Sequence, residues 1–309
     1  MSTTIAQKPL TVVIPVFNRE KELPGTLSHV ASQNPDLFNL VIVDNNSTDN
    51  SMKVVQQWVE RNPRFSTTLL KESHQSAAAA RNKGLSVART PWVMFFDSDD
   101  VMLPGHVQTA VEMALANPEA QIIGWDVRLN LPDGKQRIMR FPDSDLLANH
   151  LVHGVLSTLR YMVRTDFIME AGGWNADILK WDDLELGVRL LLNNPKVVRR
   201  TGNALVDVYF TEQSITGTTY ASGEGKWERT LDEVQTLLDA HESPCSQWID
   251  YRRADLAATY YLEKRKDLAS RLMAQATLNA RNPFMVKVIY NLKKFIPRGT
   301  WRIASLFIR

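Results

Sequence analysis

The sequence predicts an α/β fold, with a mostly parallel central sheet covered by helices on both faces and a helical region after it. Three observations carry this. Short apolar runs alternate with helix-like stretches through the first hundred residues, the pattern of parallel strands joined by crossover helices. At 309 residues, 44% hydrophobic and 23% charged, the chain has ample material for a core and lies outside the disordered, collagen and coiled-coil classes. From about residue 223 the apolar spacing of Leu231, Val234, Leu237 and Leu238 is helical.

Taken in order, strands are expected at 10–16, 40–43, 67–70 and 92–96, each apolar and partly β-branched or aromatic. Helices are expected between them at 22–33, 50–61 and 76–88. After Asp100 the pattern changes. Residues 104–117 read as a helix with Pro104 near its first turn. Residues 121–129 and 135–141 flank Pro132-Asp133-Gly134, a hairpin-type turn. A further strand is expected at 158–163, then a loop at Gly172-Gly173-Trp174 and a helix over 183–192.

Composition narrows the class further. Thirty-six basic residues stand against 34 acidic ones, so the total charge proposes no polyanionic partner such as nucleic acid. The distribution is uneven: residues 268–309 hold eight basic and no acidic residues. The one cysteine, Cys245, excludes a disulfide or a Cys-based zinc site within the chain. With no secretory signal pattern and no apolar run near the roughly 20 residues of a membrane span, a cytoplasmic location is expected.

In open parallel sheets ligands bind beyond the carboxyl ends of the strands. Three strand ends are rich in chemistry here: Phe17-Asn18-Arg19, Asp44-Asn45-Asn46 and Asp97-Ser98-Asp99-Asp100. Three carboxylates within four residues repel one another unless a cation or donors intervene. Oxygen ligands on a rigid strand end suit Mg²⁺ or Mn²⁺ shared with a nucleotide's phosphates. The alternative is a solvated turn in which Asp99 or Asp100 caps the next helix. Asp44 can accept from a base imide or a ribose hydroxyl, with Ser47 or Thr48 capping the helix after it. Phe17 offers an aromatic face and Arg19 a phosphate donor. No Gly-x-Gly-x-x-Gly or P-loop pattern follows a strand, which leaves dinucleotide oxidoreductase and P-loop readings without support.

Together these segments resemble the inverting family 2 glycosyltransferases, whose fold is the Rossmann-like A-type nucleotide-sugar fold. The resemblance is carried by Val13-Ile14-Pro15-Val16-Phe17-Asn18-Arg19, by Val41-Ile42-Val43-Asp44-Asn45-Asn46-Ser47-Thr48-Asp49, by Ala80-Arg81-Asn82-Lys83-Gly84 and by Phe95-Phe96-Asp97-Ser98-Asp99-Asp100. Gly172-Gly173-Trp174-Asn175 and Asp182-Asp183-Leu184-Glu185-Leu186 continue it, so that it covers about residues 8–215. It implies a nucleotide-sugar site formed by Pro15, Phe17, Asn18, Arg19, Asp44, Arg81, Asp97 and Ser98. Phe17 would stack on the base, Asp44 accept from it, and Arg81 lie near the nucleotide. Asp99, with Asp97, would hold a divalent cation, Mn²⁺ or Mg²⁺. Asp183 would be the general base on the acceptor hydroxyl, with Asp182 its rival, and Trp174, Trp181 and Asp182 would lie on the acceptor side.

The resemblance also implies an organisation and partners. A catalytic domain is expected over 1–220, with a nucleotide-sugar half at about 8–100 and an acceptor half at about 101–220, followed by a helical region over 221–309. The partners would be a nucleotide-diphosphate sugar, with uracil the first base to expect, and a glycan or lipid-linked glycan. The basic, apolar stretch 283–309 is expected either to touch an anionic membrane peripherally or to pack on the body. Two departures from the family pattern stand out. Asn45 occupies a place where a second acid is common, and the stretch 209–214, with Glu212 as a possible oxygen ligand, lacks the histidine that often completes the metal shell. A lapsed relative that binds sugar nucleotide or glycan without turnover is therefore the alternative reading.

Overall fold

The computed structural model describes residues 8–131, 133–209, 219–223, 225–278, 280–296 and 300. The chain forms two compact units, one of residues 1–143, 156–179 and 193–211, the other of 144–155, 180–192 and 212–309. The division therefore does not follow the expected break near 220. Two internal segments, 144–155 and 180–192, belong with the C-terminal helices.

The first unit begins with β1 (Leu10–Val16), α1 (Leu23–Ala31), β2 (Phe38–Asp44), α2 (Ser51–Arg61), β3 (Thr67–Lys71), α3 (Ala77–Leu85) and β4 (Trp92–Phe95), close to the sequence expectation. It continues with β5 (Val101–Met102), α4 (His106–Ala116), β6 (Ile122–Gly124), β7 (Val127–Asn130) and β8 (Gln136–Met139). The second unit contributes α5 (Leu146–His153), after which β9 (Tyr161–Arg164) and α6 (Thr165–Glu170) return to the first. Helix α7 (Asp182–Leu192) belongs to the second unit, and β10 (Val197–Arg199) and β11 (Val206–Tyr209) to the first.

A seven-stranded sheet runs in the order β10-β6-β9-β4-β1-β2-β3. Strands β1 to β4 pair in parallel, while β9 is antiparallel to both β4 and β6. A second, four-stranded sheet has the order β5-β11-β7-β8. The run at 121–129, expected as one strand, splits into β6 and β7, one in each sheet. The hairpin is β7–β8, and β9 starts three residues later than expected, after a 3₁₀ turn at Thr158–Arg160.

Leu10, Val12 and Ile14 of β1 and Leu40 and Ile42 of β2 are wholly buried with Leu23, Leu27 and Val30 of α1. Burial of such side chains contributes roughly 1.5–3 kcal/mol each. Pro15 sits in a central strand at little cost. The carbonyl of Val13 accepts from the Phe96 N–H, so Pro15, two residues on, turns its donorless nitrogen to the same side. Pairing with β4 has ended there at Val13–Phe95. On the other face of β1, a Cβ added at Gly84 of α3 would lie 2.3 Å from Val13 Cγ1. Glycine thus lets α3 sit directly on the strand.

The second unit also contains α8 (Lys226–Ala240), α9 (Gln247–Leu262), α10 (Lys266–Leu278) and α11 (Pro283–Phe295). Trp227, Leu231, Val234 and Leu238 form the buried stripe of α8, packed with Ile249, Leu256 and Tyr260 of α9. Close approach of α5 and α7 requires Gly187, where a Cβ would meet the His150 ring at 2.1 Å. Among the described residues no helix is long and apolar enough to cross a membrane.

Candidate active site

The loops after β1 and β2 are laced together. The Asn18 backbone N–H donates to Ser47 Oγ at 3.2 Å, and Thr48 N–H donates to Asn18 Oδ1 at 2.8 Å. Arg19 N–H reaches Ser51 Oγ at 2.7 Å, Glu20 N–H reaches Asp49 Oδ2 at 3.0 Å, and Asn50 N–H reaches Glu20 Oε2 at 2.9 Å. Asn18 and Asn46 take left-handed backbone (φ 51° and 64°), which asparagine tolerates better than most residues. Ser47 and Thr48 thus tie the loops rather than cap α2, which begins only at Ser51. Asp44 is buried, and its Oδ1 accepts from the Ser47 N–H at 2.9 Å, a turn-forming bond. Phe17 stands at the tip of β1 with 46% of its surface exposed, an aromatic face open to a ligand.

Asn45 explains its own departure from the family pattern. It is buried, donates to the carbonyls of Glu72 (3.0 Å) and His74 (2.7 Å), and accepts from the Ser76 N–H (2.9 Å). Only an amide both donates and accepts there. The residue pins the loop that leads into α3, where Ser76 Oγ caps the helix.

Two distant motifs meet across α3. Asn82 donates to Trp174 O at 2.7 Å and accepts from Trp174 N–H at 2.9 Å. A Cβ on Gly173, whose φ is +67°, would lie 2.7 Å from Asn82 Oδ1. This clamp sets Trp174 against Phe95, edge-on at 5.2 Å, and places the Arg81 guanidinium 4.5 Å from its ring. Arg81, itself buried, then reaches Asp97 Oδ1 at 2.9 Å. Trp174 is therefore buried, with the Arg81 guanidinium against its ring rather than a free face.

The acidic loop after β4 is held by Thr26, whose hydroxyl donates to the carbonyls of Ser98 (3.0 Å) and Asp100 (3.1 Å). Ser98 is buried. Asp99 Oδ2 pairs with Arg19 at 3.1 Å, so each arginine of the site holds one carboxylate. Asp100 is buried and turned toward β11, where its Oδ1 accepts from Tyr209 N–H at 3.4 Å. Burial, then repulsion from Asp97, raises the Asp99 carboxyl above its ordinary range despite Arg19. Asp100 is raised further by burial and by both neighbouring acids. Burial is the larger cause in both. Among the described residues no three His, Cys, Asp or Glu side chains gather into a metal cage. A hard divalent cation needs only one or two protein carboxylates when phosphates complete its shell, and Asp97 and Asp99 fit that use. Glu212 lies outside the described residues.

Asp182 and Asp183 open α7 in the second unit. Asp182 Oδ1 accepts from Asp183 N–H at 3.1 Å, and Asp183 Oδ1 accepts from Leu184 N–H at 2.9 Å. The helix N-terminus stabilises both as anions. Arg252, half-buried, has its proton affinity lowered by burial, and the charges of Asp255 and Asp183 offset this. Its guanidinium lies 4.4 Å from the Trp181 ring. Trp181 also packs edge-on to Trp227 at 4.8 Å, so its ring is part of an aromatic cluster.

The sequence pattern of glycosyl transferase family 2 matches residues 11–159. These residues are a family 2 glycosyltransferase domain. The match spans β1 to the turn before β9 and takes in the laced loops, Arg81 and the acidic loop. The putative teichuronic acid biosynthesis glycosyltransferase TuaG of Bacillus subtilis is 27% identical over 158 residues, 50% of this chain and 62% of TuaG. With several other curated glycosyltransferases, the matched stretch covers only 30% to 47% of the relative's length. Among solved structures, S. aureus TarS 1-349 in complex with UDP-GlcNAc aligns at TM-score 0.67 and 15% identity, over 96% of this chain and 90% of that one. The mannosyltransferase PcManGT of Pyrobaculum calidifontis, in complex with GDP-Man and Mn²⁺, aligns at 0.62 and 16%, over 98% and 86%. At these identities the likeness establishes the fold, the A-type glycosyltransferase fold.

Proposed function

We propose that the protein transfers one sugar, with inversion, from a nucleotide-diphosphate sugar to a hydroxyl of a glycan or lipid-linked glycan, with a divalent cation at Asp97 and Asp99. The observation that carries the reading is the pair of arginine-held carboxylates, Arg81–Asp97 and Arg19–Asp99, at the strand ends beside exposed Phe17 and buried Asp44. Phe17 supplies the stacking face for the base and Asp44 an acceptor for it. Bound Mn²⁺ or Mg²⁺ would neutralise charge on the leaving diphosphate. Arg19 and Arg81 hold their carboxylates in place and add donors for phosphate oxygens. Asp183 takes the acceptor proton as general base. Asn45, a motive for the lapsed-relative reading, has a structural occupation that is independent of turnover.

UDP-GlcNAc and GDP-Man, named with the two fold neighbours, are the first donors to try, and TuaG's name directs the acceptor search to acidic cell-surface polysaccharides. The test is a panel of sugar nucleotides scored by thermal shift with and without Mn²⁺, then by nucleotide release with acceptor. One donor should stabilise the protein only with the cation. Stabilisation by none would remove the reading.

Peripheral membrane contact is the finer part of the proposal. Val286 and Ile289 of α11 are buried against Tyr251, Ala254 and Ala276. Lys293 pairs with Asp255 at 3.2 Å, and Lys294 lies 4.1 Å from the Tyr261 ring. Phe284 and Phe295 remain 72% and 81% exposed beside exposed Lys287. Trp301, Arg298 and Arg302, also expected at the membrane, lie outside the described residues. Replacing Phe284 and Phe295 by serine should release the protein from anionic vesicles, whereas unchanged sedimentation with vesicles would assign α11 to packing alone.

A further inference from the structure

An open cavity of about 700 Å³ lies in the first unit, bounded by Leu103, Asp126, Arg128, Arg140, Arg199 and Asn203. Its size is within the roughly 300–1,000 Å³ of small-molecule sites. Leu103, Pro104, Ile138 and Ala204 are apolar, but Asp126, Arg128, Arg140 and Arg199 dominate the lining with charge and no aromatic ring is present, so a stacked base is not the match. We propose that this cavity is a second ligand site, taking a hydroxylated oxyanion: a sugar or polyol that carries a phosphate or a carboxylate.

The charges select that chemistry. Arg128 is committed, its guanidinium forked onto Asp207 at 2.6 and 2.7 Å. Arg199 pairs at the rim with Asp143, whose side chain is 77% exposed, a partner that a ligand can replace. The buried Arg199 Nε has no hydrogen-bond partner. Arg140 is exposed at the rim, and Arg200 is close enough for its charge to act on His106. Asp126 spends one oxygen on the Phe141 N–H at 2.8 Å, leaving the other to accept from a hydroxyl. Arginines and a carboxylate acceptor in one lining suit an anion that also bears hydroxyls.

The place relates the cavity to the acidic loop. Leu205 N–H donates to Asp126 O at 3.3 Å at the start of β11, and Tyr209 N–H donates to Asp100 at its end. Four residue steps, about 13 Å, join the two. An extended ligand anchored at Arg140 and Arg199 is long enough to run along β11 toward Asp100. On the transferase reading the occupant is the acceptor. That clause rests on the reading, while the site itself does not.

The experiment is calorimetric titration of the full chain with glucose 6-phosphate, glucuronate, glucose and inorganic phosphate, in low and high salt, repeated with UDP and Mn²⁺ present. A charged sugar should bind, glucose should not, and salt should weaken binding. The better of the two acids identifies the oxyanion, and inorganic phosphate alone should bind more weakly. Arg140→Gln, a change at an exposed side chain, should weaken binding about tenfold or more, and Arg199→Gln likewise. UDP should leave the affinity unchanged. Binding of glucose as tight as of its phosphate, full affinity in both variants, no binding of either acid, or competition by UDP would each overturn the proposal.

Discussion

Asn45→Asp should destabilise the sheet unit although it restores an acid that family 2 domains often carry there. The amide donates to two carbonyl oxygens, Glu72 O at 3.0 Å and His74 O at 2.7 Å, from a buried position. An aspartate keeps the bond from Ser76 N–H but turns an acceptor toward both carbonyls. Each buried group left unsatisfied costs about 1–3 kcal/mol, so the loss is on the order of 2–4 kcal/mol. For a unit of this size that lowers Tm by roughly 5–15 °C. Calorimetric scans at neutral pH measure it, and a repeat near pH 4 should recover part, because a protonated acid donates one bond again. A variant within about 2 °C of the parent at neutral pH would refute the structural role, and higher transfer activity would return position 45 to the catalytic set.

Asp183→Asn should keep donor affinity and lose transfer by roughly 10²–10⁴, the usual scale for a general base; loss of donor binding instead removes it from that role. His106, fully buried between Phe96 and Trp125, has its imidazole lowered to about 3 by burial and by Arg200. Its unfolded form takes up a proton first, so its contribution is complete above about pH 6.5 and is lost as pH falls toward 3. At pH 5 that is about 2 kcal/mol, read as a urea midpoint that falls between pH 7 and 5 and that His106→Phe holds level; an unchanged slope in the variant would assign the loss to other groups.

The parallel half of the fold was legible because β1, β2 and β4 are largely apolar runs and each connection there contains a helix of ordinary length. The short later strands were not. Strands β5, β10 and β11 have two to four residues and exist through partners far away in sequence, as β11 does through β5 and β7. At the site the sequence marked the acids and Arg81 but not their restraints. That Asn82 would clamp Trp174, or that Asn18 and Glu20 would bond the loop after β2, depends on contacts across about 30 to 92 positions. The two-glycine signal at 172–173 was visible in the sequence; the cause at Gly173, the side-chain oxygen of Asn82 beside a φ of +67°, was not. Trp174 and Trp181 are placed on the acceptor side by motif alone; that their rings pack with Arg81 and with Arg252 and Trp227 depends on contacts the sequence does not show.

The most direct test of the central claim is donor binding by the parent and by Asp99→Asn, titrated calorimetrically with and without Mn²⁺. Asp99 sits in a loop held by Thr26 and backbone bonds, so the variant should fold normally. The account predicts that the parent binds a sugar nucleotide only with the cation and that Asp99→Asn loses that dependence together with most of the affinity. Equal, Mn²⁺-independent binding by both proteins would contradict it.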